Sequence, residues 1–159
     1  MVEQLGVVAA IAAYAVFAMA SVLLVRVDLR EHRLPNRVLA WSTGVVLVLL
    51  VLASWLSGEW GRLGGAVLAS VSYGVVVLVL WSLGRGALGA GDLKLSPLLG
   101  LVAGWLGFDV AGIWVPVAIV VLGAAAALLA RRRGVGEFAF GPTLLAGTWV
   151  GIGVGAMVV

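Results

Sequence analysis

Six apolar stretches, at residues 4–27, 37–57, 63–83, 92–109, 110–130 and 142–159, fill most of the 159-residue chain. Each approaches the roughly 20 residues that a helix needs to cross a hydrocarbon core, allowing for tilt. An unpaired backbone polar group in lipid costs several kcal/mol, and none of the stretches alternates with the two-residue period of a barrel strand, so helices are the only spanning form open to them. With 64% hydrophobic and 11% charged residues, the chain has too little polar surface to solvate a compact globule. The expected fold is an all-α integral membrane protein, one domain over residues 1–159, built as a polytopic bundle of six transmembrane helices. The first 27 residues lack a basic start and run straight into charged sequence, so they are expected to be a retained helix rather than a cleaved signal peptide.

The cations orient this bundle. Arg26, Arg30, Arg33, Arg37, Arg85, Lys94, Arg131, Arg132 and Arg133 lie in or beside the first, third and fifth connections, whereas Arg62 alone lies at the second. Lys and Arg near helix ends are retained in the cytoplasm, so both termini are expected outside and these three connections inside. The fourth connection, residues 107–112, is short enough to predict that the helices around it are antiparallel neighbours. The three cytoplasmic connections also carry the polar sequences VDLREHRLPN, GALGAGDLKL and GEFAFGPTLL, which gathers the unusual chemistry of the chain on one face of the membrane.

The residue inventory narrows that chemistry. There is no cysteine and a single histidine, His32, which excludes disulfides, thiolate zinc sites, a cysteine nucleophile and a nitrogen-rich metal centre. His32 sits within a solvated charge run and is not expected to be catalytic. Of three aspartates, Asp28 and Asp92 each adjoin the membrane end of an apolar run. Either alone could balance neighbouring cations in the headgroup region. Two carboxylates reaching one face from different helices also make the pair that peptide hydrolysis uses, one to take a proton from water and one to donate a proton to the carbonyl oxygen. Gly89 and Gly91 lack a Cβ and leave room for another backbone beside Asp92. The four-residue stripes Gly147, Gly151, Gly155 and Gly100, Gly104 are assigned instead to helix packing.

Three motifs in order carry a resemblance. They are Asp28 with Arg33, Leu34, Pro35 and Asn36; Gly89, Gly91, Asp92 and Lys94; and Phe140, Gly141 and Pro142 at the start of the last apolar run. Together, over about residues 20–145, they resemble the type IV prepilin peptidase family, membrane aspartyl proteases of the GxGD class. The resemblance implies an endopeptidase that removes the short leader of type IV pilin-like or pseudopilin precursors at the cytoplasmic face of the cell membrane. It implies Asp28 and Asp92 as the catalytic residues, with Arg33, Pro35, Asn36, Gly89, Gly91, Lys94, Phe140, Gly141 and Pro142 in supporting positions. Many members carry a cysteine-rich zinc-binding insertion associated with N-methylation. This chain has no cysteine and no connection long enough for it, so it resembles the short, peptidase-only form and methyltransferase activity is not expected. Ala139 also stands where a proline is common.

Pro35 and Asn36 should start the second span at a defined angle. Arg33 and Lys94 could set the field around the carboxylates or hold lipid phosphates, and Arg131, Arg132 and Arg133 should anchor the chain at the headgroups. Asp92 at a helix N-terminus is the expected base and Asp28 at a helix C-terminus the expected acid, by the helix dipoles. The expected partners are a pilin-like precursor and membrane lipids, with no nucleic acid, and neither metal nor organic cofactor is required. Two other readings stay open. A small ion-coupled transporter would place its acids near the bilayer midplane and show an inverted repeat, neither of which is visible. A non-catalytic pilus or secretion assembly factor would keep the fold without cleaving.

Overall fold

The computed structural model describes residues 2–31, 35–83, 90–132 and 141–158. Their secondary structure is helical: α1 (Val2–Glu31), α2 (Asn36–Ser57), α3 (Trp60–Leu83), α4 (Ala90–Leu106), a π-helical turn (Val110–Trp114), α5 (Val115–Arg132) and α6 (Gly141–Val158). Four helices contain a segment long and apolar enough to cross a membrane, namely Val2–Arg30, Asn36–Ser57, Trp60–Ser82 and Gly141–Val158. The chain is a multi-pass, all-helical membrane protein. The fourth and fifth apolar stretches form shorter elements, 17 residues in α4 and an apolar segment at Val110–Ala126.

The helix boundaries follow from particular residues. The first apolar stretch ends at residue 27, yet α1 continues to Glu31, because helical hydrogen bonding does not stop where hydrophobicity does; Arg30 in the last turn complements the C-terminal dipole. Asp28 therefore lies within α1. Gly58 closes α2 in the left-handed conformation, φ 75°, and its N–H donates to the Ser54 carbonyl at 2.8 Å. At this same end Arg62 pairs with Glu59 at 3.2 Å. Gly107, with φ 143°, ends α4 three residues earlier than the apolar run suggests. The chain then turns directly into the π-helical segment, where Ala111 N–H donates to the Gly107 carbonyl at 3.1 Å.

Helices pair as α1 with α2, α3 with α4, and α5 with α6, and α4 holds the pairs together through further contacts with α2, α6 and the π turn. Its side chains show why: Leu95, Leu98, Leu99, Leu101, Val102, Ala103 and Trp105 are all buried, so α4 is apolar and enclosed around its circumference. The expectation that α4 and the next helix pack as close neighbours across the fourth connection is corrected here. α4 meets that segment chiefly through the π turn, and α5 itself packs on α6.

Glycines permit these approaches. A Cβ at Gly100 would lie 2.5 Å from the Ala69 carbonyl oxygen, and one at Gly104 2.5 Å from the Gly65 carbonyl oxygen, so α4 rests directly on the α3 backbone. Gly151 faces the Val115 backbone, Gly147 faces Ile119 and Gly155 faces Val110, which seats α6 on α5 and the π turn. Both stripes are packing surfaces, as the spacing predicts. Polar side chains fix the helices laterally: Tyr14 donates to the Val102 carbonyl at 2.6 Å, tying α1 to α4. Trp149 stacks on Phe17 with ring centroids 5.1 Å apart and donates its Nε1–H to Ser21 Oγ at 3.3 Å, tying α6 to α1.

Candidate active site

Asp28 and Asp92 stand apart from every other Asp, Glu, Lys, Arg or His whose side chain is described: they alone are buried, 7% and 5% exposed. The third aspartate, Asp109, is exposed. Enclosing a carboxylate within a membrane bundle is costly, and an ionisable residue retained there marks a functional site by default.

Contacts at the two ends of the bundle set the height of each. Gly6 lies against Ala53 and Ser57, so α1 and α2 run antiparallel, with the start of α1 beside the end of α2. Carrying that register along α1 brings Asp28 to the height at which α2 starts. From the other side, Lys94 Nζ donates to Asn36 Oδ1 at 2.8 Å, so the first turn of α4 stands beside the first turn of α2. Asp92, two residues before Lys94, reaches the same height. The last turn of α1 and the first turn of α4 thus present their aspartates at one end of the bundle, away from Arg62 and Glu59.

The first two motifs are physically joined by the Lys94 to Asn36 hydrogen bond, which lies on the exposed surface. Pro35 is the N-cap of α2, extended at φ −70° and ψ 115°, and its carbonyl accepts from Val38 and Leu39 N–H at 3.1 and 3.2 Å. It starts the helix and so places Asn36 under Lys94. Gly91 is half-buried in the first turn of α4, and Gly141, buried, with Pro142 opens α6; proline suits a first helical turn because it lacks an N–H. Arg33, Gly89 and Phe140, and likewise His32 and Ala139, lie outside the described residues.

Further residues of the site are not legible as motifs. A cavity of about 560 Å³ opens between α3, α4, α5 and the start of α6, and Asp92 lines it together with Ser96, Leu99, Tyr73, Ile119 and Leu144. Asp92 is the charged member of an otherwise mainly apolar wall. Ser96 stands one turn from Asp92 and has a structural task as well. Pro97 inside α4 has no N–H for the Leu93 carbonyl, and Ser96 Oγ donates to that carbonyl at 2.9 Å, which restores the lost bond. The spacing of Asp92 and Ser96, four residues apart, is the sequence signal that could have found it. The site therefore combines two enclosed carboxylates at one end of the bundle with an apolar recess beside one of them. No group of three or more His, Cys, Asp or Glu able to hold a metal occurs among the described residues.

Residues 15–130 match the model of the type IV leader peptidase family. The matched span contains the first two motifs and both aspartates, and ends before Phe140, Gly141 and Pro142. No curated protein and no solved structure matches the chain significantly.

Proposed function

The chain belongs to the type IV leader peptidase family, aspartic-type membrane proteases, and on that premise we propose that it removes the leader of a pilin-like or pseudopilin precursor at the cytoplasmic face of the membrane, using Asp28 and Asp92. The observation that carries this reading is the burial of these two carboxylates, among the described residues, at a single end of the bundle. One aspartate, ionised, takes a proton from water as the water oxygen attacks the scissile carbonyl carbon. The other, protonated, donates to the carbonyl oxygen. Collapse of the tetrahedral species breaks the C–N bond, and a proton passes to the leaving amine.

The apolar recess beside Asp92 suits a substrate whose cleavage site adjoins an apolar helix. Side chains of that helix would rest against Leu99, Ile119 and Leu144 while the polar leader stays at the membrane surface. Six membrane crossings with both termini outside complete the proposal, supported by Arg26, Arg30, Arg37, Lys94 and Arg132 at the end that carries the aspartates and by Arg62 at the other. Lys94 and Asn36 hold the starts of α4 and α2 in register and so position the pair. The test is incubation of the purified, reconstituted protein with a pilin-like precursor, with and without EDTA, and mass analysis of the product. A single cut between leader and apolar helix, unchanged by the chelator, is the expected result; an intact precursor would overturn the assignment.

A further inference from the structure

On the side of the bundle formed by α1 and α2, an apolar groove of about 330 Å³ is lined by Val16, Met19, Leu23, Val38 and Trp41, and Arg37 lines it too. This groove is separate from the recess at Asp92. On α1 the stripe that supplies Val16, Met19 and Leu23 continues at the same three- and four-residue intervals to Arg26 and Arg30, so both arginines stand on the groove's face of the helix, toward its charged end. Arg26, Arg30 and Arg37 are all exposed, and among the described residues no ion pair engages any of them. Arg37 is also misplaced for its own helix. It lies in the first turn of α2, where the dipole is positive, no acidic residue accompanies it, and the cap residue Pro35 offers no side-chain acceptor. A cation that opposes its helix dipole, exposed in a cluster of three, favours an anionic ligand.

We propose that this groove is a binding site for one anionic phospholipid, an acyl chain lying between Met19, Leu23 and Trp41 and the headgroup phosphate held by Arg37 with Arg26 and Arg30. Charge complementarity identifies the occupant: an apolar body ending in three exposed cations matches a chain ending in a phosphate, and a lipid whose headgroup carries net negative charge is preferred over a zwitterionic one. Trp41, about one turn further into α2 than Arg37, suits a position just inside the headgroup boundary, which indole rings favour. The inference does not depend on the peptidase reading, because no residue of the groove is assigned to cleavage.

The experiment is native mass spectrometry of the full chain released from bilayers of equimolar phosphatidylglycerol and phosphatidylcholine. The wild type is expected to retain one phosphatidylglycerol in strong preference to phosphatidylcholine, and Arg37→Gln is expected to cut that preference roughly fivefold, with the further change Arg26→Gln compounding the loss. Arg37→Lys should keep most of the preference, and Arg62→Gln, at the other end of the bundle, should leave it unchanged. Equal retention of the two lipids by the wild type would overturn the proposal without any variant. So would a preference that survives in Arg26→Gln/Arg37→Gln, or one that Arg62→Gln abolishes as strongly as Arg37→Gln does.

Discussion

Replacing Gly100 by alanine tests how the bundle places Asp92. The added methyl would meet the Ala69 carbonyl oxygen and the Ser70 Cα at 2.5 Å each. Non-bonded atoms settle at roughly 3.5–4.0 Å, so α4 must retreat from α3 by about 1 Å. Both opposing atoms are backbone, and no rotamer change can relieve the contact. Overpacking of this kind costs about 1–3 kcal/mol, partly offset by the better helix propensity of alanine, about 1 kcal/mol. Thermal stability in detergent should therefore fall by a net of up to about 2 kcal/mol. Activity should fall further, because α4 carries Asp92 roughly 12 Å along the same helix, and a displacement of about 1 Å at a reacting group can cost on the order of 100-fold. The comparison is Gly153→Ala in α6, where nothing lies within 4 Å of the new Cβ. Measured side by side for unfolding and for precursor processing, Gly153→Ala should process like the wild type and gain up to about 1 kcal/mol of stability from helix propensity, whereas Gly100→Ala should lose both. If Gly100→Ala were as stable and as active as Gly153→Ala, the direct seating of α4 on α3 would be wrong.

Ser96→Ala should destabilise the protein by about 1–3 kcal/mol, because the Leu93 carbonyl loses its donor next to Pro97; Ser96→Ala/Pro97→Ala should recover most of that, and a double-mutant cycle of unfolding with no coupling would contradict the compensation. Asn36→Ala and Lys94→Ala should change stability by less than about 1 kcal/mol, since their bond is exposed, yet slow processing to a similar extent, with the double variant no slower; independent, multiplying losses in the same rate assay would show that the two do not act together. A single cysteine introduced at residue 32 or 134 should react with an impermeant thiol reagent only after the cytoplasmic face is opened, a clean readout in a chain without cysteine. Labelling from outside intact cells would invert the bundle.

The four long apolar helices were legible because hydrophobic length is a strong physical constraint, and the two glycine stripes were legible because four-residue spacing puts small residues on one helical face. The ends of the helices were harder. Apolarity stops at residue 27 but α1 runs to Glu31, since exposed Arg30 is a good helix former; Pro97 leaves α4 unbroken because the Ser96 hydroxyl replaces its missing donor. The π turn at Val110–Trp114 has no composition of its own and depends on Gly107 and on the carbonyl of Ala111, which accepts from Tyr73 at 2.6 Å. Asp28 and Asp92 could be chosen from position and motif, but their burial is a property of the packed bundle. The recess at Asp92 could not be read at all, because Tyr73, Ile119 and Leu144 come from three helices and are ordinary apolar-run residues in isolation. The pairing of α5 with α6 rather than α4 likewise depends on where Gly147, Gly151 and Gly155 let a backbone approach.

The central claim is that Asp28 and Asp92 together cleave a precursor. It is tested most directly by Asp28→Asn and Asp92→Asn, purified separately, shown to unfold cooperatively like the wild type, and assayed for release of the leader from a pilin-like precursor. Each variant alone should lose processing by several orders of magnitude while keeping the fold, since the pair works as a unit and the remaining carboxylate cannot serve as acid and base at once. A folded Asp28→Asn or Asp92→Asn protein that still releases the leader at a rate near that of the wild type would contradict the account.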